Sequence, residues 1–181
     1  MKQKVSIGQL CFLAICIALS LVTKRVISPI TNLLTDFIRI PGGGAATAFS
    51  LMFLVIATAE MKWPFAAAAA GFVQSLLALS MGMSAYQGAF AILTYTLPGV
   101  IIDLFRRFYP RRDKVYFSLS CGAANTAGAF LTNLLVFRLE GIAFLLWMLV
   151  ACVIGTLGGL LGEILYGRLL KIKGLGGIIQ C

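Results

Sequence analysis

Residues 49–77 read "FSLMFLVIATAEMKWPFAAAAAGFVQSLL", two apolar runs on either side of a short break that carries Glu60, Lys62 and Pro64. With its flanks, each run approaches the roughly 20 apolar residues that a helix needs to cross a bilayer. This is the pattern of a helical hairpin in lipid, and the rest of the chain is written for the same solvent. Of its 181 residues 60% are hydrophobic and only 12% are charged, and the mean hydropathy is +0.98. Soluble domains are about half apolar and about a quarter charged. This chain has too few polar residues to cover a soluble core.

Working outward from the hairpin, six apolar stretches stand out, at about 7–23, 44–60, 63–83, 86–105, 115–137 and 142–167. They predict an all-α integral membrane protein of six transmembrane helices in one domain, 1–181. The first stretch follows Lys2 and Lys4 as a signal peptide would, but Lys24 and Arg25 come after it without a convincing cleavage site. It reads as an uncleaved helix. The formal charge of +9 is distributed between the runs rather than along one face, which speaks for membrane topology and against nucleic acid. With the N-terminus inside, the inner segments hold Lys2, Lys4, Lys62, Arg106, Arg107, Arg111, Arg112, Lys114, Arg168, Lys171 and Lys173. The outer ones hold Lys24, Arg25, Arg39 and Arg138. Eleven against four places both termini in the cytoplasm and the long connection, about 24–43, outside.

Nothing in the sequence supports an enzyme. There is no histidine, so the imidazole of Ser/His or Cys/His catalysis is missing and the usual zinc sites are improbable. Asp36 and Asp103 fall near opposite membrane edges rather than as a facing pair, and the six acidic residues are scattered. Cys11, Cys16, Cys121 and Cys152 lie within apolar runs and read as small hydrophobes. The glycines Gly42, Gly43 and Gly44 after Pro41 lack the Lys-Ser or Lys-Thr of a phosphate loop. No cofactor is expected.

Polar residues inside spans are expensive and mostly face the bundle interior or a cavity. In "YQGAFAILTYTLPG" (86–99), Gln87, Thr94 and Tyr95 share one helical face, with Tyr86 nearby. In "NTAGAFLTNLLVFR" (125–138), Asn125 and Asn133 do the same, with Thr132 beside them. Gln74 and Trp147 can join them. Two readings are open: interhelical hydrogen bonding, or an outward-facing pocket for a small flat polar molecule, the second favoured for the set as a whole. Small-residue pairs also occur, as Ala14 and Ala18 in "LAICIALS" (13–20), in "GTLGGLLG" (155–162) and in the alanine run 66–70. Taken singly, each is explained by packing within the bundle.

Together these features resemble the substrate-binding (S) component of energy-coupling factor vitamin transporters. The resemblance covers nearly the whole chain and lies in architecture more than in any motif. It includes an AxxxA pair in the first helix, matched by Ala14 and Ala18, a long outer loop leading through glycines into helix 2, and the hairpin at 49–77. It implies a multi-pass protein of a prokaryotic plasma membrane, embedded in the lipid bilayer. Its partners would be a transmembrane coupling subunit, docked on helix 1, and two cytoplasmic ATPase subunits, with no nucleic acid involved. The implied ligand is a small-molecule vitamin or vitamin precursor, with a cobamide-precursor nucleoside or a thiamin-type pyrimidine as candidates. The expected site lies between helices 4, 5 and 6. Gln87, Tyr95, Asn125, Asn133 and Trp147 would line it, beside Tyr86, under a loop carrying Asp36, Arg39 and Gly42–Gly44. Glycines there let the backbone approach a ligand closely, and free amides at the start of helix 2 would point outward. Two other classes stay open. A stand-alone secondary transporter of a small nutrient would need a mid-membrane carboxylate, for which Glu163 is the nearest candidate. A non-transporting scaffold would leave the polar faces without a purpose.

Overall fold

A computed structural model describes residues 6–35, 43–59, 61, 63–83, 87–109, 111 and 113–171. Among them there is no strand. Six α-helices follow one another: α1 (Ile7–Thr35), α2 (Gly43–Ala59), α3 (Ala66–Ser80), α4 (Ala91–Phe108), α5 (Lys114–Thr132) and α6 (Gly141–Lys171). A short 3-10 turn, Gly88–Phe90, leads into α4, and a π-helical turn, Asn133–Phe137, continues α5. Four of the helical segments, Ile7–Thr31, Gly88–Phe108, Lys114–Phe137 and Gly141–Lys171, are long and apolar enough to cross a membrane. The apolar parts of the hairpin, Ala46–Ala59 and Ala66–Ser80, are shorter. At 1.5 Å per residue they fall below the ~30 Å hydrocarbon thickness.

The first helix departs most from expectation. It continues past residue 23 to Thr35, so Lys24 and Arg25 belong to a helix and not to a loop. Pro29 is carried inside it, and the Thr31 hydroxyl donates to the carbonyls of Ile27 (3.1 Å) and Ser28 (3.0 Å).

Packing follows from where the glycines fall. Without a hydrophobic driving force between helices in lipid, close backbone contact is the main source of cohesion. A Cβ on Gly99 of α4 would collide with the Ala67 carbonyl of α3, and one on Gly71 would come within 2.5 Å of the Tyr95 carbonyl. The "GTLGGLLG" segment serves two neighbours at once. Gly155 and Gly159 seat α6 on α5 at Gly122 and Phe117, while Gly158 and Gly162 seat it on α2 at Ala48 and Met52. Internal packing is thus what the glycines of 155–162 and the alanine run of α3 do. Ala14 and Ala18 are different: both are exposed, on a face shared with Leu10, Ile15, Leu19 and Val22.

One end of the bundle is tied by a charged pair. The Asp103 carboxylate of α4 accepts from the amides of Ala67 (3.2 Å) and Ala68 (2.9 Å), capping α3 from outside its own sequence. It also pairs with Arg106 at 3.2 Å. Arg106 donates to the carbonyls of Thr58 and Met61 (2.9 Å each) and of Trp63, closing the end of α2. The pair satisfies helix-end groups that would otherwise be orphaned. Both partners are largely buried, 7% and 11% exposed, so removing one leaves the other uncompensated. Asp103→Ala should therefore lower stability by about 3 kcal/mol, read as a lower melting temperature in detergent. An unchanged melting temperature would mean that the pair is solvated.

Candidate functional site

At the other end of the bundle the second halves of α1, α3 and α5 meet the first halves of α2, α4 and α6. The spacing of polar residues along α4 and α5 puts them on inward faces there. They line a cavity of about 40 Å³ whose wall includes Lys24, Gln74, Gln87, Thr94, Tyr95, Asn125, Thr132, Phe137 and Trp147. Thr47, Ser50, Leu51, Pro98, Gly128 and Ala129 complete it. All six helices contribute, where helices 4, 5 and 6 were expected. The space is room for about three waters.

Each polar wall residue is held in a defined way. Ser20, Ser50 and Gln74 form a buried network joining α1, α2 and α3. The two hydroxyls lie 2.7 Å apart, and the Gln74 amide donates to Ser20 and, at 3.3 Å, to Ser50. The Thr94 hydroxyl donates to Gln87 Oε1 at 3.1 Å. Trp147 Nε1 donates to the Ala129 carbonyl (3.4 Å), and the indole meets the Phe137 ring edge-to-face at 5.6 Å. Asn125 is 1% exposed. Its Nδ2 donates to the Ala151 carbonyl at 2.7 Å, while its Oδ1 is buried without a partner among the described residues. Because a carbonyl must receive an N–H, that bond also fixes which amide atom is the oxygen. Lys24 reaches in from α1: its ammonium donates to the Tyr95 hydroxyl and stands 4.0 Å from the Tyr95 ring centroid.

Of the residues singled out from sequence, Gln87, Tyr95, Asn125 and Trp147 are brought together on this wall. Asn133 is not on it. Its Oδ1 accepts the Leu139 amide (2.8 Å) and its Nδ2 donates to the Leu139 carbonyl (3.2 Å), so it closes the turn after the π segment. There Arg138 sits at φ 52°. Replacing Asn133 with alanine should thus lower the melting temperature and leave ligand affinity within about twofold. A tenfold loss of affinity without a stability change would return it to the site. Gly43 and Gly44 open α2, whereas Asp36, Arg39, Gly42 and Tyr86 lie outside the described residues. Sequence reasoning missed Lys24, Thr47 and Ser50. Lys24 carries a signal, a cation directly after an apolar run, but beside Arg25 it reads from sequence as a loop charge.

A larger groove of about 450 Å³ lies at the opposite end, along Met61, Pro64, Phe65, Val100, Asp103, Leu104, Arg106 and Arg107. Asp103 and Arg106 are already engaged there with helix ends, and Phe65, Val100 and Leu104 are exposed apolar wall. The smaller cavity is the one whose wall includes a residue with an unsatisfied buried polar atom, Asn125. No family profile, curated protein or solved structure matches this chain.

Proposed function

We propose that the chain is the membrane-embedded substrate-binding subunit of an energy-coupling factor transporter. In this reading all six helices cross the plasma membrane, both termini are cytoplasmic, and a vitamin or vitamin precursor is captured from outside. A transmembrane coupling subunit and two ATPase subunits drive its uptake. The observation that carries the reading is the polar cavity in an otherwise apolar bundle, and above all Asn125 of its wall, whose Oδ1 has no partner among the described residues. A buried acceptor left unmade costs about 1–3 kcal/mol, so a ligand that supplies an N–H or O–H recovers that energy on binding. Trp147 and Phe137 offer aromatic surface for a flat ring. The proposed topology puts the cavity in the outer half of the bundle. Small-molecule sites usually enclose a few hundred cubic ångströms, so a vitamin-sized ligand requires the helix ends around the cavity to part.

Mass spectrometry of the purified chain tests the reading. A single vitamin-class heterocycle should be released on denaturation, and Asn125→Leu should reduce its yield about tenfold or more. Trp147 emission gives a second readout once Trp63, the other tryptophan, is changed to phenylalanine. Trp147 is 4% exposed, so a ligand against it changes its surroundings. Recovery of no small molecule, with no emission change on adding any of the common water-soluble vitamins, would sink the proposal.

A further inference from the structure

We infer that the cavity's ligand carries an acidic group, a carboxylate or a phosphate, that docks on Lys24 beside Tyr95. The inference rests on the binding-subunit reading above and narrows its substrate class. Lys24 lies within the candidate span Ile7–Thr31, where a lysine is expensive and normally faces a cavity or a counter-charge. It faces a cavity, and no described Asp or Glu pairs with it. The one ion pair among the described residues, Asp103–Arg106, is at the other end of the bundle. Its neighbour Arg25 is exposed, so the inward direction of Lys24 is specific to that position.

The ammonium has three donors. Tyr95 takes one and stacks its ring against the charge, and no other acceptor for Lys24 occurs among the described residues. Among the described residues of the cavity wall, Lys24 is also the only charged one. In a low-dielectric enclosure that single positive charge acts strongly on whatever enters. A cationic ring is repelled, and a neutral one can meet the two remaining ammonium N–H groups only with ordinary, uncharged acceptors. An acid accepts both through charge-assisted hydrogen bonds, about twice as strong as neutral ones. Asn125 lies on the same wall with its Oδ1 buried and without a partner among the described residues, which an N–H or O–H donor elsewhere on the ligand would satisfy. The ligand class is thus a small planar acid with a donor on its ring. That disfavours thiamin-type cations.

Matched pairs test this in the detergent-purified full chain carrying Trp63→Phe, with Trp147 emission as the readout. Nicotinate against nicotinamide reads the carboxylate, and pyridoxal phosphate against pyridoxal reads the phosphate. The acid of at least one pair should bind about tenfold or more tighter than its neutral partner. Lys24→Met should erase that preference. Tyr95→Phe, a smaller change that keeps the ring, should reduce it several-fold and serves if Lys24→Met does not fold. Any co-purified molecule should be acidic. Equal binding of acid and neutral partner, or a neutral or cationic co-purified molecule, overturns this inference and leaves the binding-subunit reading standing. Failure of all four compounds and of the other common water-soluble vitamins to bind, with nothing co-purified, overturns that reading and this inference with it.

Discussion

Gly159→Leu is expected to leave no folded bundle. A Cβ at this position already collides with the Phe117 carbonyl of α5, with the Phe117 carbonyl carbon and the Ser118 Cα both at 2.7 Å. Those are backbone atoms of a neighbouring helix, so no rotamer change relieves the clash. Overpacking commonly costs about 1–3 kcal/mol, and more when backbone must move. The α5–α6 contact is also the most extensive between any two helices of the chain. Even Gly159→Ala, which gains about 1 kcal/mol in helix propensity, should be destabilising because the clash outweighs the gain. Gly167→Ala in the same helix is the control, since nothing lies within 4 Å of its Cβ position. Size-exclusion profiles and melting curves of the detergent-solubilised variants separate the cases. If Gly159→Leu and Gly167→Ala behave alike, α5 and α6 do not meet at Gly159.

Uptake should be abolished when Ala14 and Ala18 are both changed to tryptophan, while the isolated chain still binds its ligand. The expectation depends on the proposed coupling to a transmembrane partner. Both alanines are exposed on α1 and make no small-residue seam within the bundle, unlike Gly155 and Gly159. Enlarging them therefore fills no internal space, but it prevents a second helix from approaching closely. Transport reconstituted with the coupling module, measured beside binding by the purified variant, distinguishes the outcomes. Parallel loss of both would assign the pair to the fold, and retention of both would make it a lipid-facing surface.

Much of the helix plan was legible because lipid is a demanding solvent. Every backbone group must be satisfied within its own segment, so helices announce themselves as long apolar runs with polar breaks. The same demand makes intramembrane polar residues informative. Gln87, Thr94 and Tyr95, spaced i, i+7, i+8, all line the cavity, although Gln87 precedes the 3-10 turn rather than lying on α4 itself. Asn125 and Asn133 share a helical face by the same logic, yet only Asn125 lines the cavity, because the turn after Phe137 brings the Leu139 backbone onto Asn133.

What the sequence determined by itself is the solvent and the helices. Composition demands lipid, and hydropathy marks where the six helices run. What only the tertiary structure decided is direction. Lys24 and Arg25 are adjacent and chemically alike, yet one lies in a polar cavity and the other is exposed. Ala14 with Ala18 and Gly155 with Gly159 are the same four-residue pattern, yet one pair is exposed and the other joins two helices. Successive helix positions turn by about 100°, so a local pattern defines a face but not its neighbour. For α6 that neighbour is met through glycine contacts, and for α1 through buried Leu13, Cys16, Ile17 and Leu21 and the Ser20–Ser50–Gln74 network, the face that also carries Lys24 inward.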